Sequence, residues 1–271
     1  MTFQTTYGLV PAIGRAGQVA DGAIMQDVIS TVAEGAVALG CAVLKGTSPR
    51  QGKPVAAVAL DVDSIVATGG VSAATAQTVQ TTALNGVIGQ GRIVPAQQVT
   101  MTLNSHADWD ATTATIYGED ADGNQLVEDV LIPNGGNATI TTKAAFGRVV
   151  SIFIPAQTGA NGTYTAGTAP TQAEFARADI LGVSVWQSAH EPYTSDSYSD
   201  KDEMPVLRKG RVYVVTEDAV VNGDPVYVRI VTSGGDAPGQ FGGERSASFA
   251  LLRGARFRTT AAIDGVAVME L

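Results

Sequence analysis

The sequence is short of the residues that most chemistry needs. It holds one cysteine, Cys41, and two histidines, His106 and His190, among 271 residues. A lone cysteine cannot form a disulfide within the chain, so stability has to come from packing or assembly. A hydrolase needs a base beside its nucleophile, and histidine is the usual base. His106 lies in Asn104-Ser105-His106-Ala107-Asp108-Trp109 and His190 in Ser188-Ala189-His190-Glu191-Pro192-Tyr193, and both stretches read as loops. No serine sits in a G-x-S-x-G elbow. The Gly-Gly pairs at 69–70, 135–136, 234–235 and 242–243 lack a following Lys-Ser or Lys-Thr, so a phosphate loop is not expected. No run reaches the roughly 18 apolar residues that suggest a membrane span. The start, Met1-Thr2-Phe3-Gln4, lacks a basic region followed by an apolar run, so no secretory signal is expected.

Basic residues are also scarce. Lys and Arg total 17 against 26 Asp and Glu, for a formal net charge of −9. That sign repels phosphate at long range, so nucleic acid is not an expected partner, and neither is a membrane. Aromatics are only 6% of the chain, whereas the hydrophobic share is 45% and glycine numbers 31. Alanine and valine make up most of the apolar set, and threonine is abundant. Valine and threonine suit pleated strands, while glycine suits turns and bulges. The bias is toward β-structure with little helix.

Along the chain, Met25 to Ala36 fits a helical face at Met25, Val28, Ile29 and Val32, yet Val28 to Val32 also reads as a strand, which its neighbours favour. Ala38 to Gly46 looks like a buried strand, and Ser48 to Pro54, with Pro49, Gly52 and Pro54, like a loop. Residues 68–86 are small and polar, a surface loop or a weak helix from Ser72 to Leu84. Strands follow at Val99–Leu103, Ala114–Tyr117, Leu126–Ile132, Ala138–Thr142, Val149–Ile154 and Thr163–Thr165, with turns between. Six short strands so spaced describe a small β-sandwich. Further strands are expected at Leu181–Trp186, Arg211–Val215, Pro225–Val231, Ala255–Arg258 and Gly265–Leu271. The last should bury Val266, Val268 and Leu271 on one face.

Several side chains invite a functional reading. Asp120-Ala121-Asp122-Gly123-Asn124 has the look of a calcium loop, but its glycine is fourth, where the EF-hand has it sixth, and Leu131 takes the twelfth place. A hairpin turn is the simpler reading. Asp196, Asp200, Asp202 and Glu203, with Tyr193 and Tyr198, form an acidic loop that could hold a cation, face solvent, or pair with basic residues of another subunit. Glu119 with Asp129 is the pair to consider for glycan hydrolysis, although no cleft aromatics lie near it. Trp186 reads as core and Trp109 as either core or contact. No catalytic, cofactor-binding or metal-ligating residue is expected, and so no cofactor.

The last third carries a recognisable pattern. Tyr198-Ser199-Asp200-Lys201-Asp202-Glu203-Met204-Pro205-Val206-Leu207-Arg208-Lys209-Gly210-Arg211-Val212-Tyr213-Val214 resembles a segment of the capsid cement, or decoration, proteins of tailed phages. So do Val221-Asn222-Gly223-Asp224-Pro225-Val226-Tyr227-Val228-Arg229, Pro238-Gly239-Gln240-Phe241 and the close from Gly254 to Leu271. The resemblance spans about 174–271 and, loosely, the first sixty residues. It implies an all-β base domain of barrel or sandwich type, discontinuous over 1–64 and 173–271. Residues 65–172 would form an inserted immunoglobulin-like sandwich. It also implies a structural virion protein, made in the bacterial host cytoplasm, that binds the major capsid protein on the outside of the shell and stabilises it. Self-association is implied too, with a trimer among the expected states. A tail, fibre or spike component binding a host glycan is the alternative.

Overall fold

Nineteen strands account for the regular structure, and no helix occurs among the described residues. The computed structural model describes residues 14–20, 26–71, 73, 75–80, 84–104, 107–135, 138–186 and 196–271. The strands before the middle of the chain are β1 (Asp27–Ala33), β2 (Val37–Ala38), β3 (Ala42–Lys45), β4 (Gln51–Pro54), β5 (Asp61–Val71) and β6 (Gln77–Gln80). The central ones are β7 (Arg92–Leu103), β8 (Thr112–Glu119), β9 (Gln125–Ile132), β10 (Ala138–Ile154) and β11 (Thr163–Phe175). Then come β12 (Ile180–Ser184), β13 (Ser197–Tyr198), β14 (Glu203–Lys209), β15 (Arg211–Thr216) and β16 (Pro225–Arg229). β17 (Phe241–Gly242), β18 (Phe249–Phe257) and β19 (Gly265–Glu270) complete the set.

Two rings of strands close on themselves. The first runs β1-β14-β12-β3-β4 and shuts through a parallel β4–β1 pairing, Val32 beside Gln51. Of its strands β12, and β3 up to Leu44, are buried on two faces, which explains their continuous apolar sequence. On β3, Val43 points into one core with Leu181, Met204 and Val206, while Ala42 and Leu44 join a second core. That second core is shared with the other ring: Val212, Val214, Val226, Val228, Phe241, Leu252, Phe257 and Met269 pack with Ile180, Val183 and Leu207. The second ring follows from the pairings β15–β19, β19–β18, β18–β16, β16–β17 and β17–β15. Closure leaves neither ring with a bare row of backbone donors and acceptors.

A third core occupies the middle of the chain. Its buried members run from Ile65 to Ala166 and include Met101, Trp109, Ile116, Phe146, Ile152 and Tyr164. Trp109 is fully buried, donates to the Asn104 side chain at 3.1 Å and meets Tyr164 edge-on. β10 pairs with β7 along its first half and with β8 and β6 along its second, helped by register breaks at 141–145, 146–148 and 149–151. Such bulges bend a strand, which lets one segment serve two layers. β11 links this core to the rest. Tyr164 and Ala166 belong to the middle core, whereas Ala173 and Phe175 belong to the core of the rings. Phe175 also lies beside Leu252 in a short parallel pairing with β18.

Several expectations need correction. Ser48–Pro54 is not all loop, because β4 occupies its second half; Pro54 sits at the strand's end opposite Val43. The weak helix between Ser72 and Leu84 is absent where the segment is described: β5 reaches Val71 and β6 pairs with β10. Ala138–Thr142 and Val149–Ile154 are one strand, and Thr163–Thr165 is the start of a 13-residue strand that runs on past Pro170. The register of β11 against β7 breaks between Ala169 and Glu174, where a proline is tolerated. Trp186 lies beyond β12 and is 44% exposed, so it is not core. On β19 the buried face is Ala267 and Met269, not Val266 and Val268. Leu271 packs partly buried against the core of the rings and exchanges backbone hydrogen bonds with Gly210.

Candidate interaction surfaces

The turn of the β8–β9 hairpin is built from one aspartate. The Asp120 carboxylate accepts from the backbone N–H groups of Asp122 at 2.8 Å and Asn124 at 2.9 Å, and Gly123 takes a positive φ of 86°. Burial opposes its charge, yet the bonds from Asn124 and Asp122 prevail and hold the carboxyl below its ordinary range. The carboxylate oxygens are therefore spent on closing the turn. Glu119 and Asp129 do not form a working pair. In the hairpin register Asp129 faces Thr115, four residues along β8 from Glu119, which is about 13 Å at strand rise. Two glycosidase carboxylates stand roughly 5–9.5 Å apart. Thr115 also donates to Asp129 at 2.7 Å, and Glu119 faces Arg148 at 3.7 Å. His106, His190 and Tyr193 lie outside the described residues.

Each carboxylate of the acidic loop has a local partner. Asp196 pairs with Arg15 at 2.7 Å, and Asp200 accepts from the Gly35 N–H at 2.9 Å. Asp202 accepts from the Ser199 N–H at 2.7 Å, and Glu203 from the Ser30 hydroxyl at 2.6 Å. Tyr198 is fully buried and donates to the Val185 carbonyl at 2.6 Å, pinning the loop to the first ring. Among the described residues no group of His, Cys, Asp or Glu is arranged to hold a metal ion.

A belt of ion pairs joins the middle of the chain to the rings. Arg92 of β7 donates to Asp179 at 2.8 Å, and Arg253 of β18 reaches both Asp122 and Glu174, the latter at 2.5 Å. Arg245 adds a contact to Glu174 at 3.5 Å. Beneath the belt, Ala96, Ala121 and Ala176 form a small apolar seam. Short side chains there let three backbone segments approach closely.

A strongly basic concavity lies at one end of the first ring. There β1 begins, β14 ends, β12 begins and β3 ends, as their pairings require. The groove holds about 580 Å³ and is lined by Lys45, Arg177, Arg208 and Lys209 over a floor that includes Ile29, Ile180 and Leu181. Asp27 is the one carboxylate on its wall, 3.7 Å from Arg208. Arg177 donates to the backbone carbonyls of Ile180, at 3.1 Å, and Arg208. Burial, and then the Arg208 charge, push its guanidinium below the ordinary value. The sequence signal for this site was slight: an Arg208-Lys209 dipeptide at a strand end and a rise in arginine after Glu174.

The family described as structural cement protein (E217 gp24/Pam3 gp6), a phage family, matches residues 128–271, more than half of the chain. The chain belongs to this family. No curated protein sequence matches it.

Proposed function

We propose that this phage structural cement protein binds the outside of an assembled capsid, in contact with the major capsid protein, and stabilises the shell as a homo-oligomer. The family match over 128–271 carries the reading. A protein that binds only the mature shell stabilises it by mass action, by about 2.7 kcal/mol per site at a hundredfold excess over its dissociation constant. Oligomers that engage several lattice points at once turn modest contacts into lasting ones. In this reading residues 1–64 and 173–271 form the lattice-binding base, and 65–172 an immunoglobulin-like sandwich displayed above it. The separate middle core, drawn wholly from 65–166, supports that division.

The test is electron microscopy of particles with and without the protein, with quantitative co-sedimentation on purified shells. Regularly repeated surface density at many copies per shell is expected, together with slower thermal rupture of decorated shells. A few copies confined to the tail would favour a tail or fibre role and defeat the cement reading.

A further inference from the structure

We propose that the basic groove at the end of the first ring seats an acidic, extended segment of the lattice protein. The inference rests on the cement reading and names the contact through which the base would hold the shell. Four of the chain's 17 basic residues converge on this groove, in a molecule whose net charge is −9. Lys45, Arg177 and Lys209 make no ion pair within 4 Å among the described residues, although the Asp179 charge acts on Lys45 from farther off, and Arg208 has Asp27 at 3.7 Å. Four like charges facing a single wall carboxylate leave an excess of positive charge that favours an incoming anion. The groove is of a size that takes a few side chains, and its apolar floor suits a peptide better than a bare ion.

Two other occupants fit less well. Nucleic acid would need a basic track, and here one short groove is set in an acidic chain. A second copy's densest run of carboxylates is its acidic loop. Each of that loop's carboxylates already has a local partner in Arg15, Gly35, Ser199 or Ser30, which an incoming groove would have to displace or share. Arg177 holds two backbone carbonyls and shapes the groove wall, so the informative changes are at the other three basic side chains.

Two measurements test this separately from the cement reading. In the first, the free chain is titrated with a capped hexaglutamate peptide and followed by amide chemical shifts. Saturable shifts are expected at Lys45, Ala178, Ile180 and Lys209, and they should vanish in Lys45→Glu/Arg208→Glu/Lys209→Glu. No shifts there, or tighter binding of a dT hexanucleotide, would overturn the assignment. In the second, shell binding is measured by sedimentation across a salt series. Lys209→Glu should weaken it about tenfold and flatten the salt dependence, whereas Lys143→Glu, an equal charge change on β10, should leave it unaltered. A Lys209→Glu protein that binds shells as the parent does would overturn the proposal while the cement reading stands. Loss of self-association in the triple variant would reassign the groove to a second copy and overturn it as well. Failure of the parent to bind shells would sink the cement reading and the lattice protein as occupant, with the peptide titration still deciding whether the groove takes carboxylates.

Discussion

Arg229 and Glu217 form an ion pair on the face of the second ring turned away from its core, with only 9% of each side chain exposed. The guanidinium also stacks 4.8 Å from the centre of the Phe249 ring, and its bonds to Glu217 raise its pKa. Removing Arg229 leaves the buried Glu217 carboxylate without its partner. Arg229→Met is expected to cost about 3–5 kcal/mol, read as a shift in the urea midpoint. The paired change Arg229→Met/Glu217→Leu should recover most of the loss. Equal destabilisation by the single and double variants would contradict this.

Gly182 lies on β12, where the first ring is tightest. A Cβ there would stand 2.1 Å from the Leu207 carbonyl oxygen and 2.7 Å from a Val206 methyl. Backbone cannot step aside without breaking the β12–β14 pairing. Gly182→Ala should lower stability by about 1–3 kcal/mol or more, visible as a drop in melting temperature. At Gly135, where nothing lies within 4 Å, any cost of alanine comes from the positive φ alone.

Cys41 supplies a pH-dependent probe. Burial, with a lesser push from the Glu217 charge, raises its thiol from 9.0 to about 11. The folded state holds the proton more tightly, so its contribution is full below the ordinary value and is lost as pH rises from about 9 toward 11. Denaturant titrations at pH 8 and pH 10.5 should show that fall, and Cys41→Ala should reduce it. At pH 7.5 the native thiol should react with a disulfide reagent about a hundredfold more slowly than in urea, from its thiolate fraction alone.

The closing strand is expected to be indispensable. β19 lies between β15 and β18, and Met269 is fully buried. Met269→Ala should cost about 2–5 kcal/mol. A chain ending at Asp264 would open the second ring and expose two strand edges, and it should aggregate on expression. A soluble, cooperatively folding truncation would show that the ring closes without it.

Much of the strand pattern was legible because alternation is local. β8, β9 and the Asp120 turn between them announce themselves within twenty residues, and so do β15 and β16. What hid was decided by distant partners. β4 carries glycine and proline and is a strand only because β1 and β3 flank it. β14 starts among acids at Glu203 because β1 offers it a register. On β19 alternation was read correctly but its phase was not, since small Ala267 gave no hint that it faces inward. The candidate groove was least legible of all. Its wall comes from residues 27, 45, 177 and 208–209, which only ring closure brings together.

β11 has a mechanical consequence. One continuous strand is gripped at Tyr164 and Ala166 by the middle core and at Ala173 and Phe175 by the core of the rings. A tug on the middle of the chain directed along that strand loads its hydrogen bonds to β5 and β7 side by side, in shear, so they resist together. A tug across it would peel them one at a time. The strand is therefore stiff along one axis and weak across it, in the manner of a tenon, and it would share an outside load with the ion pairs of Arg92 and Arg253.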